Sequence, residues 1–181
     1  MKYSQARESM QPGDLIGFSG NGLISSVIKL ITQSDISHVG VILKSRLNDS
    51  SVTVNQLIES TSLGDGYAGV QIKRMSRYIR TYPGNIFWYQ LTKESRSKLN
   101  IPKMFNFLLS HKNKKYDTPQ AILSVLDLMP DSKEDFSEMF CSELTSGGYE
   151  AGNLIAEINC SEVTPADQVD MKLFETRQLL T

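Results

Sequence analysis

The sequence predicts an α+β domain built on an antiparallel sheet. Three observations carry that expectation. The first half of the 181-residue chain is a succession of short β-prone runs. After Leu91 the spacing turns helical. One helical stripe near the start is the sole interruption among the strands, which is not the strict alternation of βαβ units.

Taken in order, Pro12-Gly13-Asp14 is a turn, and Leu15-Ile16-Gly17-Phe18 after it reads as a strand. Gly20-Asn21-Gly22 breaks the chain. Leu23, Val27, Leu30 and Ile31 then recur at helical spacing up to about Gln33, and Ser34-Asp35 ends the stripe. His38 to Leu43 is nearly continuous and β-prone, the pattern of a buried strand. Asn48 to Ser51 is a turn cluster, and Val52, Val54, Leu57 and Ile58 predict a strand ending near Glu59. Gly64 to Gly69 read as a loop, Val70-Gln71-Ile72 as a strand, and the aromatic-rich Asn85 to Leu91 as another. A helix follows over Lys98 to Ser110, with Pro102 limiting where it starts. Thr118-Pro119 looks like a cap with proline at the first helical position, leading into Gln120 to Leu128. Asp131 to Asp135 is an acidic loop. A helix from about Glu138 to Tyr149 stops at Gly152-Asn153, and Thr164-Pro165 repeats the cap-and-proline signature for a short last helix.

Composition narrows the function. Nineteen Lys and Arg against 20 Asp and Glu give a net charge of -1, so no basic field holds nucleic acid. Two Cys and two His, widely spaced, make neither a disulfide framework nor a zinc motif, and no metal is expected. No apolar run is long enough to span a bilayer. The first residues lack the apolar core of a secretory leader, so the default expectation is a cytoplasmic protein. The chain length fits a single domain over residues 1–181, with a core at about 11–170.

Three side chains suit one chemistry. Cys141 opens a helix, where unpaired N–H groups and the helix dipole favour thiolate and can hold an oxyanion. His38 begins an apolar strand and could accept the thiol proton. Glu59 ends another strand and could fix the imidazole tautomer. Glu143, in the same first turn as Cys141, is expected to point away from the thiol, toward a basic partner or solvent. Gly147-Gly148 suit a helix packed closely on a sheet.

Pro12-Gly13-Asp14-Leu15-Ile16, Ser37-His38-Val39-Gly40-Val41, Leu57-Ile58-Glu59-Ser60 and Phe140-Cys141-Ser142-Glu143-Leu144 resemble, in this order, the permuted NlpC-like cysteine hydrolases of the YiiX-like group. Tyr116-Asp117 and Thr164-Pro165-Ala166-Asp167 add two further marks. The resemblance implies a circularly permuted papain-like fold, with the sheet against a central nucleophile helix. It assigns Cys141 as nucleophile, His38 as general base and Glu59 as orienting residue, with Tyr116 and Ser142 contacting substrate and no cofactor. It implies cleavage of an amide bond in a cell-wall-type peptide of peptidoglycan or a small acyl-amide, through a thioester. A lipid acyl hydrolase or acyltransferase on the same scaffold, and a binding module that has lost turnover, are the rival readings.

Other motifs carry less. Gly64-Asp65-Gly66-Tyr67-Ala68-Gly69 matches G-x-G-x-x-G, but a strand rather than a helix follows it, against a dinucleotide site. Lys112 to Tyr116 reads as a solvated basic helix end, and His111 beside it as exposed. Lys73, Arg74, Arg77 and Arg80 form a second basic cluster, a solvated surface or a contact for anionic groups or lipid heads. Cys160 reads as a structural thiol.

Overall fold

Most of the β-prone runs become strands because their alternate residues find two separate apolar layers. The computed structural model describes residues 1–46, 53–61, 68–115 and 140–181. The chain opens with a one-turn helix, α1 (Tyr3–Ala6), followed by β1 (Leu15–Ser19) and helix α2 (Leu23–Thr32). Then come β2 (His38–Arg46), β3 (Thr53–Thr61) and β4 (Gly69–Arg74), helix α3 (Met75–Thr81) and β5 (Asn85–Tyr89). Helices α4 (Lys93–Lys98), α5 (Ile101–Ser110), α6 (Cys141–Ala151) and α7 (Pro165–Asp170) precede the closing strand β6 (Gln178–Leu180). The strands form one six-stranded sheet in the order β4-β3-β2-β1-β5-β6, with every neighbouring pair antiparallel.

One face of the sheet presents Leu15, Val39, Val41, Ile58 and Val70, which pack with Met104 and Leu108 of α5 and Leu144 and Tyr149 of α6. The other presents Ile16, Phe18, Ile42, Leu57 and Trp88, which pack with Ala6 of α1 and Met75 of α3. The two chain ends meet beside the sheet: the Tyr3 amide donates to the Thr181 carbonyl at 2.9 Å, and the Thr181 amide to Met1 at 3.0 Å.

The Pro-Gly-Asp turn is a structural knot. Asp14 is fully buried. Its carboxylate accepts from the Gln11 amide at 2.9 Å, the Trp88 indole at 3.0 Å and the Leu91 amide at 3.1 Å, and pairs with Arg96. A buried charge survives only when partnered this fully. Gly13 sits at φ +89°, and a Cβ there would land 2.5 Å from Leu99 Cδ2, so only glycine serves. The Tyr149 hydroxyl donates to the Gly13 carbonyl at 2.8 Å, tying α6 to this turn.

The structure corrects several sequence expectations. Helices α1, α3 and α4 and strand β6 have no counterpart among the sequence expectations. The helix expected over 98–110 is α5, which starts at Ile101, where Asn100 Oδ1 accepts from the Lys103 amide at 3.1 Å; the separate helix α4 ends at Lys98 before it. Strand β3 runs past Glu59 to Thr61. Gly147 and Gly148 admit helix α5, not the sheet: added Cβ atoms would lie 2.5 Å from Phe107 Cζ and 2.9 Å from Leu108 Cδ2. His111 is buried, its Nδ1–H donating to the Phe107 carbonyl at 2.7 Å and its ring 4.2 Å from that of Phe107. Burial holds its imidazole below the usual range. The α2 stripe is not its buried face. Leu23 and Leu30 are 83% and 80% exposed, whereas Ser25 and Ile28 turn inward. The turn cluster 48–51, the helix expected over 120–128, the acidic loop 131–135 and most of the glycine loop lie outside the described residues.

Candidate functional site

Adjacent antiparallel strands bring the first two groups together. The register that pairs Val41 with Ile58 leaves Glu59 one residue further along β3, diagonal to His38 at the start of β2. His38 Nε2 lies 2.7 Å from Glu59 Oε2. Glu59 is 2% exposed, and its other oxygen, Oε1, accepts from the Tyr78 hydroxyl of α3 and from Gln71 Nε2 at 3.2 Å. Gln71 stands directly opposite Glu59 in the β3–β4 register. The carboxylate is therefore held from both ends, which fixes the imidazole it faces. The Phe18 ring, 5.3 Å from that of His38, walls the other side.

Helix α6 supplies the third group. Phe140 caps the helix in an extended conformation, so Cys141 is its first residue. Glu143 does not reach solvent as expected. It is fully buried and turns back to accept from the Phe140 amide at 3.4 Å, holding the helix start in place. Cys141 lies near enough to His38 for its sulfur to act on the charge of the ring.

The electrostatics follow from this line of three. Burial pushes the His38 imidazole down, but the negative sulfur of Cys141 and the Glu59 carboxylate outweigh it, and the pKa is pushed up to about 10. Tyr82, beside the same carboxylate, is pushed up to about 12 by its burial and by the Glu59 charge, so it stays neutral. The result is an imidazole that keeps a proton well above neutral pH.

The other expected residues fall differently. Ser142 is fully buried and its hydroxyl donates to the Val163 carbonyl at 2.5 Å. Its side chain is spent on anchoring α6, and a substrate contact from that hydroxyl is withdrawn. Tyr116 lies outside the described residues; the chain just before it pairs with β4, the Val70 amide donating to the Lys114 carbonyl at 2.8 Å. Cys160 is a buried thiol that donates to Glu150 Oε2 at 3.4 Å. Sequence reasoning missed Tyr78 and Gln71. Met75, Tyr78, Ile79 and Tyr82 recur at helical spacing, a signal for α3 hidden beneath the basic residues between them.

No family model matches the sequence, and no curated protein does. Among solved structures, the fold is similar to that of YiiX from Escherichia coli O157:H7, described as a metalloprotein, at 20% sequence identity and a TM-score of 0.52. The match covers 78% of this chain and 66% of YiiX, so the chain spans just under two thirds of that protein. The likeness is one of fold: a mixed α and β structure on an antiparallel sheet.

Proposed function

We propose that this chain is a cysteine hydrolase of amide-type bonds, with the permuted papain-like order in which the histidine precedes the nucleophile. The observation that carries this reading is the single line Cys141–His38–Glu59, with the thiol at a helix tip and His38 Nε2 2.7 Å from a buried carboxylate.

Each group has one task. His38 holds the proton it shares with Cys141, which leaves the sulfur to attack the substrate carbonyl carbon. The negative oxygen of the tetrahedral intermediate is met by N–H groups at the start of α6. As the C–N bond breaks, His38 returns the proton to the leaving amine and a thioester remains on Cys141. Water, deprotonated by His38, then attacks the thioester, releasing the acid and returning Cys141 and His38 to the state in which they began. Glu59 holds the ring orientation and stabilises the imidazolium throughout.

YiiX is described as a metalloprotein, so a resident ion needs testing against the donors here. Among the described residues no group of three or more His, Cys, Asp and Glu is placed to hold one. The donors of the site are engaged with one another and with Tyr78 and Gln71. They do not fit a resident ion, and no step is assigned to one.

The test is an activated acyl ester offered to the purified protein, followed by intact mass and peptide mapping. A transient acyl adduct on Cys141, its decay to free acid, and loss of both in Cys141→Ala support the reading. Undiminished turnover by Cys141→Ala, or acylation elsewhere, rejects it. An acyl group delivered to an added amine or lipid in preference to water would reassign the protein as a transferase.

A further inference from the structure

Helix α2 wears its apolar side outward. Leu23, Val27, Leu30 and Ile31 lie on one stripe and are 83%, 39%, 80% and 36% exposed, while the opposite side, with Ser25 and Ile28, rests on the fold. A stripe so spaced on a helix is normally buried. Its place in the fold matters too, because α2 is the connection between β1 and β2. It leaves the sheet just beyond Phe18 and returns at His38, so it stands at the rim of the Cys141–His38–Glu59 line.

The neighbouring surface is cationic. Asn21, just before α2, donates to the Pro83 carbonyl at 3.0 Å, which ties the start of α2 to the turn that follows α3. On α3 the inward residues Met75, Tyr78 and Ile79 leave the opposite side to Arg77 and Arg80, and Arg74 ends β4 just before the helix, all three arginines exposed. Neither helix contains an acidic residue. Four side chains at roughly 100 Å² each make too small a patch for a stable dimer, which needs about 800 Å² from each partner. An apolar stripe beside arginines, without acids, matches instead the two contributions that hold a helix in the headgroup region of a bilayer: apolar insertion and attraction to anionic lipid.

We infer that the α2 stripe docks on an anionic lipid surface, with the arginine side of α3 meeting the headgroups. The protein would lie on the membrane with its reactive line at the lipid boundary; among the described residues no helix is long and apolar enough to span it. The inference does not depend on the cysteine chemistry.

The experiment is co-sedimentation of the full chain with phosphatidylcholine vesicles, with and without phosphatidylglycerol, alongside light scattering without lipid. Wild type and Cys141→Ala are expected to bind the anionic vesicles equally, and more weakly as salt is raised. The double variant Leu23→Asn/Leu30→Asn, changed only at highly exposed positions, should fold with an unchanged Tm and lose at least about tenfold in partitioning. Arg77→Gln/Arg80→Gln should lose most of the preference for anionic over neutral vesicles. No binding by wild type, equal binding to both vesicle types, or unchanged binding by the leucine variant overturns the inference. So does a wild-type dimer that the leucine variant converts to monomer, because the stripe would then belong to a second copy of the chain.

Discussion

Replacing Glu59 by glutamine keeps the shape of the side chain and removes the charge that faces His38 Nε2 at 2.7 Å. A hydrogen bond to a charged group contributes about 1.5–3 kcal/mol. Taking about 2 kcal/mol, and about 1.4 kcal/mol per factor of ten, the equilibrium for placing the thiol proton on His38 falls roughly thirtyfold. The assay is alkylation by iodoacetamide at neutral pH, with the two cysteines counted separately by peptide mass. Cys160 is the internal reference, because it is 0% exposed and donates to Glu150. In wild type Cys141 should react much faster than Cys160, since only the thiolate attacks. In Glu59→Gln its rate should drop by about the calculated factor while that of Cys160 stays put. Equal Cys141 rates in the two proteins would refute the coupling through His38. A wild-type Cys141 no faster than Cys160 would show that its 3% exposure admits no reagent and would remove the basis for catalysis.

Tyr78→Phe keeps the ring near Phe18 but removes one of the donors to Glu59 Oε1. With Gln71 still in place, the loss in Cys141 alkylation should be smaller, roughly fivefold from about 1 kcal/mol. Asp14→Ala strands Arg96, Trp88 and two amides in the interior. It should cost about 4 kcal/mol and lower the Tm by about 10 °C in a chain of this size, read by calorimetry. Gly147→Ala should cost about 1–3 kcal/mol by pressing on Phe107, with Phe107→Leu restoring part of it in urea denaturation. His38 has a folded pKa raised from 6.5 to about 10, so it binds a proton more tightly when folded. Its stabilisation is therefore complete below about pH 6.5 and lost as pH rises through about 10. The difference in unfolding free energy between wild type and His38→Gln should shrink across that window.

Where the sequence was legible, one pattern answered one physical demand. The runs at Leu15, His38 and Asn85 alternate or stay apolar because a sheet covered on both faces requires it, and they became β1, β2 and β5. The Thr164-Pro165 signature marks a helix start because the Thr164 hydroxyl accepts from the Asp167 amide while Pro165 has no N–H to leave unpaired. Cys141 and His38 stand out because each begins an element, whereas Glu59 lies inside β3 rather than at its end. Legibility failed where two demands share one segment. The arginines of α3 masked the apolar stripe that carries Tyr78 to Glu59. Periodicity identified α2 as a helix but could not tell which side the fold would cover. Asp14 reads as a turn residue, and nothing local reveals that Trp88, Leu91 and Arg96 converge on it from more than seventy residues away. Ser142 shows the same limit: its place beside Cys141 does not say which way its hydroxyl turns, and it turns to the Val163 carbonyl.

The handclasp of Met1 and Tyr3 with Thr181 makes the linear order of this polypeptide a matter of where it is cut. Splicing those ends with a short tether and opening the backbone anew between β3 and β4 would leave every hydrogen bond of the reactive line in place. The re-spliced gene would then be read as cysteine, histidine, glutamate instead of histidine, glutamate, cysteine. Atoms that meet in space are indifferent to the ribosome's sequence of delivery.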